Sequence, residues 1–383
     1  MIIAGRVVTP TSVIRGWVET AGERIAQVGG GIAPSTAISN GGWTIVAGFI
    51  DVHVHGGGGH SFTSGEPEAI AGGVEFHLAH GTTTTLLSLI TAPASELCAA
   101  ARRIDSFLVG ADPAVGRRVA GIHAEGPFLS VARCGAQDPA FMSDPDPTVI
   151  AELVAAAGGR LRMMTVAPER EGAVEAIGQL TAAGVIAAIG HSDATFDQAV
   201  AAIAAGATVA THLGNAMSPL QHRDPGMVGA CLTGAEVSCE LIVDGHHLHP
   251  AFVRLAAASK GAERIVLITD AMAAAGVGDG RYRLGRFEVV VRDGMATLAE
   301  GGSLAGSTLT MDAAYRNAVA AGLDDVAVSR AASANPARLL GIDGDVGTIE
   351  VGKLADLVVF DEARQLVAVI AAGQLVAGSL DPP

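Results

Sequence analysis

Residues 48–56 read GFIDVHVHG, and this stretch bears directly on the fold. The apolar run has the length of a strand. His53 and His55 stand two apart near its carboxyl end, which places both imidazoles on one face, because side chains alternate along a strand. The glycines that follow, residues 56–59, remove side-chain bulk so that backbone or ligand can approach closely. Alone, the pattern fits either a metal-binding element or a pair of hydrogen-bonded core histidines.

Working outward, seven further runs have the same texture: GTTTTLLSLI, VAGIHAEGP, RMMTVAPE, VIAAIGHS, TVATHLGN, VSCELIVDG and RIVLITDAM. Ala-rich segments of helix length separate most of them, among them EAIAGGVEFHLAH, ASELCAAARRIDSFLV and FDQAVAAIAAG, and several are closed by glycine as a C-cap would be. Strands alternating with helices predict a parallel sheet. Eight such units point to a closed (β/α)₈ TIM-like barrel, with an open doubly wound sheet as the alternative.

Both chain ends differ from this middle. MIIAGRVVTP, VIRGWVET and RIAQVG near the start, and GTIEVGKLADLVVFD and LVAVIAAGQLV near the end, are β-branched runs punctuated by glycine and aspartate. They predict one small β-sandwich domain formed from residues 1–48 and 345–383, with residues 49–344 as the barrel. RYRLGRFEVVVRDGMATLAE, residues 281–300, reads as a β excursion after the eighth strand.

Composition narrows the function classes. The 383 residues carry 24 basic and 39 acidic side chains, a net charge of −15 without a Lys/Arg run, which argues against a nucleic-acid partner. No apolar run reaches the roughly 18–20 residues of a membrane span. The start lacks a secretory layout, and the four cysteines show neither CxxC spacing nor disulfide density, so the expectation is a cytoplasmic protein.

The polar residues fall where the apolar runs stop. His53 and His55 close run one, Glu125 run three, His191 run five, His212 run six and Asp270 run eight. In a βα barrel these carboxyl ends form the catalytic face, so the side chains would converge there. Imidazole and carboxylate together suit a divalent zinc, iron, cobalt or manganese ion, whereas the cysteines lie outside the pattern. His60, His77, His80, His222 and His249 fall in loop or helix positions and carry no such expectation.

These residues resemble the amidohydrolase superfamily of metal-dependent hydrolases. GIHAEGPFL, GHSDAT, THLGNAMSPL, DGHHLHP, LITDAM and LAGSTLTM, spread over most of the chain, are similar to its N-acetylglucosamine-6-phosphate deacetylase branch. The fourth run, RMMTVAPE, lacks the lysine with which many binuclear relatives bridge their metals, and Glu125 can supply that carboxylate.

The resemblance implies that Glu125, His191 and His212 hold a principal metal, that His53 and His55 help hold a second, and that Asp270 is the general base and acid. It further implies a substrate set of Ala136, Asn215, Ala216, Arg223, Asp244, Gly245, His246, His247, Leu304, Ala305 and Gly306. A phosphorylated amino sugar is the implied substrate, and a homodimer in which His247 reaches the neighbouring site is the implied assembly. The sequence departs from the branch in RCGAQDP, where Gln137 stands in place of a common histidine beside Cys134. The competing functions are a ring deaminase, a deacetylase of another N-acyl amino sugar, and a non-catalytic scaffold.

Overall fold

The structure, a computed structural model, describes residues 1–380. All eight apolar runs form strands of one parallel sheet: β1 (Phe49–Asp51), β2 (Thr82–Leu89), β3 (Val119–Glu125), β4 (Leu161–Val166), β5 (Ile186–Ile189), β6 (Val209–Ala210), β7 (Ser238–Ile242) and β8 (Ile265–Ile268). Each pairs with its sequence neighbour. Just beyond β1 and β8 the first and last strands are joined, since Asp270 N–H donates to His53 O and His55 N–H to Ala271 O, both at 2.8 Å. Those two bonds close the sheet into a barrel and exclude the open doubly wound alternative.

Helices follow the strands on the outside. Their starts show ordinary capping chemistry: Thr195 and Gln198 form a reciprocal capping box on the helix Phe196–Ala204, and Asp146 caps Pro147–Ala156. The β excursion after β8 is a three-stranded antiparallel sheet of Gly280–Leu284, Phe287–Arg292 and Met295–Leu298. Its apolar side packs on Ile90, Met272, Ala274 and Ala305, which seats it against the barrel mouth.

The two chain ends join in one seven-stranded sheet. Thr44–Ala47 is the seam, running parallel to Ile2–Val8 on one side and antiparallel to Leu357–Phe360 on the other. Period-two alternation divides these strands between two cores. Ile3, Val7, Ile45, Leu357, Val359 and Ile370 bury a core within the terminal domain, while Val8, Val46, Val358 and Phe360 turn to the barrel. The domain expected as a small β-sandwich is thus built on one continuous hydrogen-bonded sheet.

Two of the glycines after β1, Gly56 and Gly57, are required by packing. A Cβ at Gly56 (φ +156) would lie 2.1 Å from the His60 carbonyl oxygen, and one at Gly57 would lie 2.5 Å from the Phe76 ring. The backbone must pass close to Phe76 of the helix Pro67–Ala79 immediately after delivering two imidazoles to the barrel interior.

Candidate active site

The strand ends bring six side chains, spread over more than two hundred positions of sequence, to one place. Two groups of three form there: Glu125, His191 and His212, and His53, His55 and Asp270. In the first, Glu125 Oε1, His191 Nε2 and His212 Nε2 are mutually 3.0 Å apart. In the second, His55 Nε2 lies 3.1 Å from His53 Nε2 and 3.2 Å from Asp270 Oδ1, with His53 Nε2 3.6 Å from that oxygen. Glu125 spans both, because its Oε2 is 3.1 Å from His55 Nε2.

This arrangement fits a metal. Metal–ligand bonds of about 2.0–2.1 Å place neighbouring ligand atoms about 3.0–3.4 Å apart. Two pairs of imidazole nitrogens also approach closely, His53 Nε2 to His55 Nε2 at 3.1 Å and His191 Nε2 to His212 Nε2 at 3.0 Å, and a single shared proton satisfies such a pair less well than a cation between them. Two of the imidazoles are fixed to present Nε2 inward. His191 Nδ1–H donates to the Arg133 carbonyl at 2.9 Å, and His53 Nδ1–H to Glu240 Oε2 at 3.1 Å.

Burial disfavours every charge here, and the two residue types offset it for one another. His53 and His191 are held above the usual imidazole range and His55 is raised to about 9, chiefly by Glu125 and Asp270, while both acids are held below the usual carboxylate range. Below the site, burial pushes Asp51 up to about 7 although Thr269 and the His53 N–H donate to it.

Three of the six side chains sit on strained backbone. His191 (φ +47), His212 (φ +32) and Asp270 (φ +49) are in the left-handed region, as is Ala216 (φ +49). Such conformations cost of order 1–3 kcal/mol each in non-glycine residues and concentrate at functional sites. Here His191, His212 and Asp270 each stand two residues beyond the end of their strand, where the chain turns away from the sheet.

Above the two groups opens a cavity of about 340 Å³. His55, Glu125, His191, His212 and Asp270 form part of its wall, joined by Ala136, Asn215, Ala216, His247, Leu304 and Gly306 of the expected substrate set. The remaining expected residues lie off the wall. His53 is fully buried beneath it, and Ala305 is buried in the small core under the three-stranded sheet. Asp244 sits behind His247, accepting from its Nδ1–H at 2.6 Å and from the backbone N–H of both His246 and His247. Burial disfavours the His247 imidazolium, but Asp244 outweighs it and holds His247 above its ordinary range. Gly245 and His246 belong to this turn and do not line the cavity, and Arg223 is exposed and also off the wall.

Several residues of the site were not legible as such. Arg133, in the turn after β3, is part of the wall, and its guanidinium is held by Asp193 at 2.8 Å. Gln137 donates to Glu125 Oε2 at 2.5 Å and accepts from Thr91 N–H, so it orients the central carboxylate. His123 and Glu240 lie inside the barrel below. The only sequence signal for either was a polar residue within an apolar strand run, which the strand-end pattern passed over.

Comparison with known proteins agrees with this geometry. Residues 44–376 match the Amidohydrolase family. An N-acetylgalactosamine-6-phosphate deacetylase of Escherichia coli O157:H7 is 41% identical over 328 residues, covering 85% of this chain and 86% of that one. An N-acetylglucosamine-6-phosphate deacetylase of Lysinibacillus sphaericus is 38% identical, covering 86% and 85%. Among solved structures, an Asp-to-Ala variant of N-acetyl-D-glucosamine-6-phosphate deacetylase from Mycobacterium smegmatis, in complex with N-acetyl-D-glucosamine-6-phosphate, superposes with a TM-score of 0.93 at 44% identity, covering 98% of this chain and 99% of that one. With eight parallel strands, imidazoles and acids at their carboxyl ends, and a match over most of its length, the chain belongs to the amidohydrolase family.

Proposed function

We propose that this chain, with residues 49–344 as its catalytic unit, hydrolyses N-acetyl-D-glucosamine 6-phosphate to D-glucosamine 6-phosphate and acetate. The observation that carries the reading is the pair of three-ligand groups joined by Glu125 at the floor of a cavity of about 340 Å³, with Asp270 on the wall. Glu125, His191 and His212 would hold one divalent ion and His53, His55 and Asp270 a second, with zinc the ion best suited to this nitrogen and oxygen set. A bound ion polarises the acetyl carbonyl and makes water a competent nucleophile near neutrality.

The protein's own groups do the rest. Asp270 accepts the proton of the attacking water and returns it to the departing amine, which is too basic to leave unprotonated. Gln137 keeps one Glu125 oxygen directed at the site. His247, preset by Asp244, and the Asn215–Ala216 turn meet the polar end of the substrate, and Arg133 and Arg223 are the cations available to a phosphate. The reading includes a cytoplasmic homodimer in which His247 reaches the neighbouring site, an assembly that sedimentation analysis tests.

Acetate release decides the function: N-acetylglucosamine 6-phosphate should be hydrolysed well, unphosphorylated N-acetylglucosamine poorly, and adenine or cytosine should yield no ammonia. The E. coli relative named for the galactosamine epimer makes that epimer the second reading. A higher kcat/KM for N-acetylgalactosamine 6-phosphate would replace the first reading with it.

A further inference from the structure

Glu240 lies in β7 with its side chain inside the barrel and none of its surface exposed. A carboxylate there is costly unless it is paired, and no lysine or arginine touches it among the described residues. Its Oε2 instead accepts two hydrogens at 3.1 Å, one from His53 Nδ1 and one from the backbone of His212. These two histidines belong to different three-ligand groups. His123, whose ring meets His53 edge-on with centroids 4.5 Å apart, is no competitor for this acceptor. Its two nitrogens are engaged by Ser88 at 3.0 Å and Thr165 at 2.9 Å.

We propose that Glu240 is the positioning residue of the metal centre, acting from beneath on both groups. By taking the Nδ1 hydrogen it fixes His53 in the tautomer whose Nε2 lone pair faces His55 and Asp270. By holding the His212 N–H it secures the left-handed turn (φ +32) from which that imidazole reaches Glu125. The outer carboxylate thereby sets the direction of ligands on strands far apart in sequence, as carboxylate–histidine pairs do in metal sites generally. This rests on reading the two groups as metal ligands.

The test loads the full-length protein with zinc or cobalt and measures metal content and affinity by competition with a chelator, alongside thermal unfolding of the metal-free protein. H53N should lose one of two ions. E240L should weaken the same ion by roughly 10–100-fold, and E240Q, which keeps an acceptor of nearly the same shape, by several-fold. The cobalt visible spectrum of that ion should change in the same order. A purely structural Glu240 would lower the stability of the metal-free protein and leave affinity alone, which overturns the proposal. If H53N loses an ion while both Glu240 variants bind as wild type, the Glu240 assignment alone fails; if H53N loses none, the ligand reading fails and takes this with it. Should E240L not fold, E240Q decides, because native affinity in that variant contradicts the inference.

Discussion

Asp270 combines three properties at a single residue: a carboxylate oxygen 3.2 Å from His55, a place on the cavity wall, and a left-handed backbone that turns it inward. Replacing it with asparagine preserves shape and an oxygen donor but removes the group that accepts a proton. Asp270→Asn is expected to retain metal, by elemental analysis, while kcat falls on the order of 10²–10⁴-fold, the usual worth of a general base. Its place at a strand end was readable because an acid closing an apolar run is a local pattern, whereas its role as base was implied only by the family resemblance. The part played by Gln137 was not, since its bond to Glu125 depends on how the loop after β3 folds back.

The helix Met311–Ala320, which follows the three-stranded sheet, shows the electrostatics of an element. Asp312 in its first turn accepts from Thr310 Oγ1 and Arg316 at 2.6 Å and from His80 Nδ1 at 3.1 Å. Burial opposes its charge, but these partners, His80 foremost, hold it down at about 2 from an ordinary 3.8. A depressed carboxyl contributes stability that is fully present above its unfolded value and disappears as pH falls through the folded one. The contribution, about 2 kcal/mol, should therefore vanish between about pH 4 and pH 2. Urea unfolding of wild type and Asp312→Asn should differ by about that much at pH 6 and converge toward pH 2; a gap independent of pH would contradict the assignment. The element itself, an apolar stripe with an acid in its first turn, follows from local sequence, whereas the partner His80 comes from a distant helix end.

Over the whole molecule, the terminal sheet and the barrel are held together by apolar packing and by ionic links at their boundary. Arg118, just before β3, pairs with Asp356 of the terminal segment at 3.1 Å, both nearly buried. Asp325, on the barrel side, takes Arg6 and both arms of Arg364 from the terminal sheet. Asp356→Ala leaves a buried guanidinium unpaired and should cost about 3–5 kcal/mol in chemical denaturation, while replacing both partners with apolar residues should recover much of it. The two three-ligand groups, by contrast, stand on a barrel whose outer core is a large apolar cluster and whose buried polar side chains, Ser88, His123 and Thr165 among them, are hydrogen-bonded to one another. Chelation should abolish hydrolysis, leave far-ultraviolet circular dichroism unchanged and lower Tm by an amount set by metal affinity; added zinc should restore both activity and Tm.

The amino-acid sequence by itself determined the eight strand and helix units, their order, and the placement of His53, His55, Glu125, His191, His212 and Asp270 at strand ends. Each of these is written in the periodicity and punctuation of neighbouring residues. Only the tertiary structure decided that the sheet closes, that Arg133 rather than Arg223 lines this chain's cavity, and that Glu240 meets His53 across 187 positions of sequence. Which nitrogen an imidazole offers depends on the acceptor placed behind it. That acceptor arrives from another strand only when the barrel closes, so no local pattern encodes it.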